Sequence, residues 1–181
     1  MKTTRQVALL RGINVGKAKR VAMADLRALV EGLGYGDVRT LLNSGNVVFS
    51  AAETPAAAAS RIENAVATRL GVSARVTALT LAELAAVIAE NPLLGVADDP
   101  SRLLVAVLND PADRAKLEPL SAQEWTPDVL AVGGRVAYLW CGGGILESRM
   151  AAAVGKVLGD AATSRNWATV LKLHALMKDK E

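Results

Sequence analysis

Apolar positions in the first part of the chain switch between a strand-like and a helix-like spacing. Val7–Ile13 is a short aliphatic run that predicts a strand, and the glycines and asparagine of residues 12–16 predict a loop after it. From Met23 to Leu33 apolar residues recur every three or four positions, and Gly34 suits a left-handed helix cap. The chain is therefore predicted to open with a strand, a loop and an amphipathic helix.

Two further strands, a second helix and a fourth strand follow. Val38–Leu42 and Val47–Phe49 predict strands joined by a turn at Asn43–Asn46, whose residues tolerate turn dihedrals. Residues 55–71 carry apolar side chains at every fourth position and predict a helix, and Val72–Leu79 returns to strand character. The order β-α-β-β-α-β is that of the ferredoxin-like fold, in which two helices cover one face of an antiparallel sheet.

The second half of the chain repeats this order. Thr80 and Glu83 form a capping box that opens a helix, Asn91-Pro92 ends it, and residues 93–101 form a linker. The elements predicted next are a strand at Leu103–Leu108, a helix at Pro111–Leu120, hairpin strands at Val129–Val132 and Val136–Trp140, a helix at Ile145–Leu158, an edge strand at Ala161–Ser164 and a last helix from Asn166. We therefore predict an α+β protein of two ferredoxin-like units packed in one compact body, divided into residues 1–80 and 81–181.

The composition indicates a globular protein without a built-in metal centre. Of the 181 residues, 51% are apolar and 22% are charged, and no apolar run approaches the roughly 18 residues of a membrane span. One cysteine and one histidine exclude zinc fingers, iron–sulfur sites and cages of several imidazoles, so we expect no cofactor and leave open only a carboxylate-held ion. The short apolar stretch before Arg11 and the lone cysteine predict a cytoplasmic protein with no membrane partner.

Positive charge is concentrated at the front of the chain. Six bases precede the first acid, Asp25, although the whole chain carries a net charge of only +3. These bases are Lys2, Arg5, Arg11, Lys17, Lys19 and Arg20. A basic front attracts anions, so it is either a solvated, solubilising surface or a functional anion site.

The segment Arg11–Arg20, called here the basic loop, resembles a phosphate-binding P-loop only superficially. Gly12 and Gly16 enclose three residues instead of four, and Ala18 stands where a P-loop has the Ser or Thr that contacts magnesium. A weaker hypothesis survives, in which backbone amides and basic side chains of this loop form a concave anion site near a helix N-terminus. Such a cradle requires the loop and the turn at 43–46 to lie close together.

Twelve residues are candidates for contact with an anion. They are Arg11, Gly12, Asn14, Gly16, Lys17, Lys19 and Arg20 of the basic loop, Asn43, Ser44 and Asn46 of the turn, and Arg165 and Asn166 before the last helix. For the turn residues the competing explanation is turn chemistry alone, and for the last pair it is helix capping. His174 lies on the apolar stripe of Trp167, Val170, Leu171 and Met177, and Cys141 ends a strand, so both are interpreted as packing residues.

Several segments together resemble one bacterial family. They are residues 7–16, which include LRGINVG, then Met23–Leu29, the SGNVVF run of residues 44–49, Asn91-Pro92, and Arg165-Asn166-Trp167 with Thr169-Val170. In that order they are similar to the family called domain of unknown function 1697. The resemblance implies two ferredoxin-like units, in agreement with the periodicity, and implies no established activity, cofactor or catalytic residue.

Three functions are compatible with these features. The first is binding of a phosphate-bearing small molecule or a nucleic acid at the basic loop; an aromatic content of only 3% disfavours base stacking but leaves phosphate contact intact. The second is acylphosphatase-like hydrolysis, with Arg11 or Arg20 holding the phosphoryl group and Asn43 or Asn46 orienting water, by analogy of fold alone. The third is a module that binds a protein on a free sheet face. No oligomeric state is predicted.

Overall fold

The structure, a computed structural model, describes residues 2–179 and contains two four-stranded antiparallel sheets. The chain divides into two compact units. The first comprises the residues up to Ala85 together with those from Leu173 onward, and the second comprises Ala86–Lys172. In each unit the strands and helices follow one another in the order β-α-β-β-α-β. The predicted α+β architecture of two ferredoxin-like units is therefore confirmed.

The first unit has its earliest strand in the middle of the sheet. Its elements are β1 Thr4–Leu10, α1 Met23–Gly32, β2 Gly36–Leu41, β3 Asn46–Ala51, α2 Pro55–Leu70 and β4 Val76–Thr80, followed by the start of α3 Leu81–Ala89. The strand order is β2-β3-β1-β4, with Val7 paired to Val48 on one side and to Leu79 on the other. Leu10, Phe49, Leu26 and Ile62 are buried in one cluster, so α1 and α2 pack on one face of this sheet.

Local sequence signals explain where the helices of this unit begin and end. The Thr54 hydroxyl accepts a hydrogen bond from the Ala57 N–H at 3.2 Å, Pro55 occupies the first turn of α2, and Gly71 ends that helix with φ +66°. Thr80 and Glu83 form the predicted capping box, with Thr80 N–H donating to Glu83 Oε2 at 2.7 Å and Glu83 N–H donating to Thr80 Oγ1 at 3.1 Å.

The second unit repeats the arrangement. Its elements are β5 Leu103–Leu108, a 3₁₀ helix Pro111–Leu117, α4 Glu118–Ser121, β6 Val129–Val132, β7 Val136–Trp140, α5 Arg149–Leu158, a 3₁₀ turn Gly159–Ala161, β8 Ala162–Asn166 and the start of α6 Trp167–Lys178. The strand order is β6-β7-β5-β8, which places β8 at an edge as predicted; β8 begins one residue later and ends two residues later than predicted. Its core includes Leu108, Leu139, Met150 and Val154.

Two predicted helices of this unit differ from the observed ones. Pro111–Leu120 is not one α-helix, because Pro119 has no N–H to donate and its ring clashes with the carbonyl four residues earlier; a 3₁₀ helix and a short α4 replace it. The helix predicted from Ile145 begins at Arg149 instead, because the Ser148 hydroxyl caps it by accepting the Ala151 N–H at 2.9 Å.

The faces of the two sheets opposite these clusters are also buried. In the first sheet Val7, Leu9, Val48 and Leu79 are at most 3% exposed, and in the second Val105 is fully buried. The central part of this face is therefore closed to a protein partner in the first unit, and a site there must use loops or the ends of the strands. No helix within residues 2–179 has the length and apolar character needed to cross a membrane.

Candidate functional site

The basic loop connects β1 to α1 through a tightly folded backbone. Four of its residues have positive φ: Gly12 (+69°), Asn14 (+56°), Gly16 (+64°) and Lys19 (+52°). Asn14 N–H donates to the Lys19 carbonyl at 3.0 Å and closes the loop on itself. Glycine and asparagine tolerate this left-handed region best, which explains three of these four positions; at Lys19 the loop holds a lysine in the same region.

Asn14 ties the basic loop to its surroundings with both ends of its side-chain amide. Its Nδ2 donates to the carbonyls of Val21 and Asn43, each at 2.8 Å, and its Oδ1 accepts the Val21 N–H at 2.8 Å. The side chain therefore fastens the loop both to the residues that precede α1 and to the turn between β2 and β3. The expectation that loop and turn lie together is confirmed, and Asn14 holds the two segments against each other.

The turn approaches the basic loop closely because Gly45 has no side chain. Gly45 has φ +90°, and a β-carbon there would lie 2.7 Å from Ile13 Cδ1 and 3.0 Å from Leu10 Cβ. Its carbonyl accepts the Leu10 N–H at 2.9 Å. Ile13 is 2% exposed, so the loop is also anchored by a buried apolar side chain. Sequence reasoning missed Gly45, whose requirement is visible only once the two segments meet.

The polar residues of the turn divide into one buried and two exposed members. Asn46 is fully buried, and its Nδ2 donates to the Leu41 carbonyl at 2.8 Å and to Ser44 Oγ at 2.9 Å. Turn chemistry therefore explains Asn46. Asn43 and Ser44 are exposed, and Asn43 holds Asn14 through its backbone carbonyl. Of these three candidates, only Asn43 and Ser44 present side chains to solvent.

Exposed bases surround this end of the sheet. Arg11, Lys17, Lys19 and Arg20 are all exposed, and within residues 2–179 the last three form no ion pair. Arg11 N–H donates to the Arg75 carbonyl at 2.9 Å, which brings a further exposed base to the same place. Sequence reasoning missed Arg75. The pairing of β4 with β1 would have identified it, because the residue before β4 must lie beside the residue after β1.

Arg165 and Asn166 belong to the second unit, whereas the basic loop belongs to the first. Arg165 is 9% exposed on β8, burial lowers its pKa to about 10, and its Nη1 donates to the Ser164 carbonyl at 2.9 Å. Asn166 Oδ1 accepts the Thr169 N–H at 2.9 Å and so caps α6. Helix capping, the competing explanation for this pair, is thus observed for Asn166.

The cysteine and the histidine are placed as packing residues. Cys141 is fully buried within the second core, and burial raises the pKa of its thiol, which disfavours the reactive thiolate. His174 is partly buried on α6, and loss of solvent together with the Lys178 charge lowers its pKa. Leu171, expected on the same buried stripe, is 42% exposed, and Leu173 is buried in its place. Residues 2–179 contain no group of three or more metal-ligating His, Cys, Asp or Glu side chains.

Comparison with known proteins gives a family and a fold. No curated protein matches the chain. The chain is similar to the conserved bacterial protein SP0830 from Streptococcus pneumoniae, with a TM-score of 0.81, 24% sequence identity, and coverage of 98% of this chain and 100% of that one. At this identity the likeness shows a shared fold. The model of a family described as a protein of unknown function matches residues 3–138. Because that match spans more than half of the sequence and agrees with the motifs at residues 7–16 and 44–49, the chain belongs to the DUF1697 family of proteins of unknown function.

Proposed function

We propose that the basic loop binds a phosphate-bearing anion, either a nucleotide or the phosphates of a nucleic acid. The observation that supports this most strongly is the clamp formed by Asn14. It holds the loop that carries Lys17, Lys19 and Arg20 in one conformation against the turn at residues 43–46. A loop that is already ordered loses little conformational freedom on binding, so its contacts translate more fully into affinity.

The backbone of the basic loop adds donors to this charge. Within residues 2–179, the N–H groups of Gly12, Gly16 and Lys17 donate no hydrogen bond, and all three residues are exposed. Backbone N–H groups in loops that alternate between right- and left-handed residues form concavities suited to anions. Lys17, Lys19 and Arg20 supply the counter-charge for a phosphate bound there. No aromatic residue belongs to this loop, which favours contact through phosphate over base stacking.

Acylphosphatase-like hydrolysis has less support. Of its two candidates for orienting water, Asn46 is fully buried and its amide donates to Leu41 and Ser44. Asn43 is left for that role, and its side chain is exposed. Arg11 and Arg20 stay suitable for holding a phosphoryl group. Release of phosphate from acetyl phosphate, lost on substitution of Asn43, would favour this second function over simple binding.

A thermal-shift panel tests the proposal. The ligands are inorganic phosphate, AMP, ATP, acetyl phosphate and a short RNA, each at low and at high ionic strength, and a ligand that binds the native state raises Tm by mass action. The variant combines Lys17→Ala, Lys19→Ala and Arg20→Ala, here called the loop variant. The control combines Arg69→Ala, Lys156→Ala and Lys172→Ala, which removes the same charge from exposed positions elsewhere.

The proposal expects at least one phosphate-bearing ligand to stabilise wild type and the control but not the loop variant. The stabilisation must also shrink at high ionic strength, because screening weakens attraction between exposed charges. Equal stabilisation of the loop variant and the control would refute the proposal. In that case the basic front is solvated surface.

A further inference from the structure

A cavity with basic residues in its lining lies in the first unit, at the end of β1 away from the basic loop. Its volume is about 680 Å³, which falls within the range of about 300–1,000 Å³ typical of small-molecule sites. Strands β1, β2 and β3 supply Arg5, Arg39 and Ser50, and the end of α6 supplies Met177 and Lys178. The basic loop follows Leu10, whereas this cavity lies at Arg5, so the two places are separated by most of the length of β1.

The sheet register brings two guanidinium groups to one side of this cavity. Arg5 pairs with Ser50 and Arg39 pairs with Val48 on β3. Ser50 and Val48 are two positions apart and so share a face, and their partners share it too. Burial lowers the pKa of Arg5, the Asp37 carboxylate counteracts this, and the positive charge of Arg39 adds to the lowering. Two neighbouring cations on a partly buried face favour occupation by an anion.

Arg5 has hydrogen-bonding capacity that the protein does not use. Its Nη1 donates to the Asp37 carbonyl at 2.8 Å and, more weakly, to Ser50 Oγ at 3.4 Å, both of which are neutral acceptors. Within residues 2–179 its Nε and Nη2 donate no hydrogen bond, and it forms no ion pair. A guanidinium presents a planar fork of donors that matches the two oxygens of a carboxylate or phosphate group. Arg5 therefore offers an open fork at the wall of the cavity.

Among the described residues that line the cavity, basic side chains outnumber acidic ones. Arg39 pairs with Asp179 at 3.4 Å, and the Asp179 side chain is 68% exposed, which makes this a weak surface pair. Within residues 2–179, the lining contains three bases, Arg5, Arg39 and Lys178, and two acids, Asp37 and Asp179. The Asp179 carboxylate is the acid on this rim whose removal disturbs the fold least, because it follows the last residue of α6 and is exposed.

We propose that this cavity binds a small organic anion whose carboxylate or phosphate group accepts hydrogen bonds from Arg5. Arg39 and Lys178 add counter-charge, and Leu81 and Met177 provide an apolar wall for the rest of the molecule. This site is independent of the basic loop, and neither proposal requires the other.

Amide NMR spectra test the site with two probes, inorganic phosphate and succinate, in the background of the loop variant, which removes the other expected phosphate site. We expect one or both probes to shift the amide signals of Asp37 and Ser50. Arg5→Gln, which removes the charged fork, should weaken binding about tenfold or more, and Lys178→Ala should weaken it about threefold. Asp179→Asn, which removes a competing negative charge, should tighten it about threefold. Arg69→Ala is the control and should leave binding unchanged.

The outcomes separate the two sources of anion and the two sites. A response to phosphate alone assigns a phosphate-bearing ligand, and a response to succinate alone assigns a carboxylate. No shift at Asp37 and Ser50 with either probe would overturn the proposal. So would unchanged affinities in both Lys178→Ala and Asp179→Asn, which alter exposed side chains and decide the matter even where Arg5→Gln fails to fold. Failure of the proposed function appears separately, as absence of shifts at Gly12 and Gly16 in the wild-type protein.

Discussion

Replacement of Asn14 by alanine should destabilise the first unit and loosen the basic loop. The substitution removes the amide that donates to Val21 and Asn43 and accepts from Val21. It also places a residue with a β-carbon at φ +56°, a region that asparagine tolerates better than alanine. The change therefore combines lost hydrogen bonds with backbone strain, and related substitutions separate the two contributions.

The size of the effect follows from the contacts. Each lost hydrogen bond contributes about 1 kcal/mol to the free energy of unfolding, and the left-handed conformation costs alanine about 1 kcal/mol more than asparagine. Because Asn14 is only partly buried, water replaces part of what is lost, and we expect a total of about 3 kcal/mol. Asn14→Gly loses the same hydrogen bonds without the strain and should be about 1 kcal/mol less destabilised.

Hydrogen exchange at the amides of β1 and β3 measures this loss within the first unit. Tryptophan fluorescence does not suit the purpose, because Trp125, Trp140 and Trp167 all lie within the second unit. Asn43→Ala is the matched control, since Asn43 holds Asn14 through its backbone carbonyl, which alanine retains. If Asn14→Ala proved no more destabilising than Asn43→Ala, the clamp would be an incidental contact, and the reasoning that the loop is preformed would be wrong.

Three further predictions follow from other parts of the structure. Gly45→Ala should lower the free energy of unfolding by about 2–3 kcal/mol, because its β-carbon overlaps Ile13; a urea-unfolding curve matching wild type would refute the close approach. In a spectrophotometric titration Tyr35 and Tyr138 should both ionise near pH 12, since burial raises both pKa values to about 12. The contribution that the neutral tyrosines make to the free energy of unfolding is present below pH 10 and is lost as pH rises toward 12. A tyrosine that ionises near pH 10 in the native protein would contradict its burial. Cys141 should react with a thiol reagent only after unfolding, and fast labelling of the native protein would contradict its buried position.

Much of the fold could be predicted because local signals and tertiary packing agree. The capping box at Thr80 and Glu83 and the bracketing of α2 by Pro55 and Gly71 depend on short-range contacts, and both formed as expected. The start of α5 was predicted too early. Apolar periodicity begins at Ile145, but the hydroxyl of Ser148 decides which residue opens the helix. Boundaries of this kind depend on which of several capping residues is used.

The candidate site could be predicted in composition but not in geometry. The loop could be identified in the sequence because glycines, an asparagine and four basic residues are clustered in one segment of ten residues. That Asn14 reaches Asn43, that Gly45 must lack a side chain, and that Arg75 lies beside Arg11 all depend on strand pairing. The same holds for Arg5 and Arg39, which the register of β1, β2 and β3 brings together. Contacts between segments far apart in the chain are visible only when the sheet order is known.

The most direct test of the central claim is an amide NMR titration of the wild-type protein and the loop variant with ATP at low ionic strength. If the basic loop binds phosphate, the largest shifts in wild type occur at Gly12, Gly16 and Lys17, whose N–H groups donate no hydrogen bond within residues 2–179. Those shifts should disappear in the loop variant and weaken in wild type at high ionic strength. The absence of shifts in the loop, or shifts there that persist unchanged in the loop variant, would contradict the account.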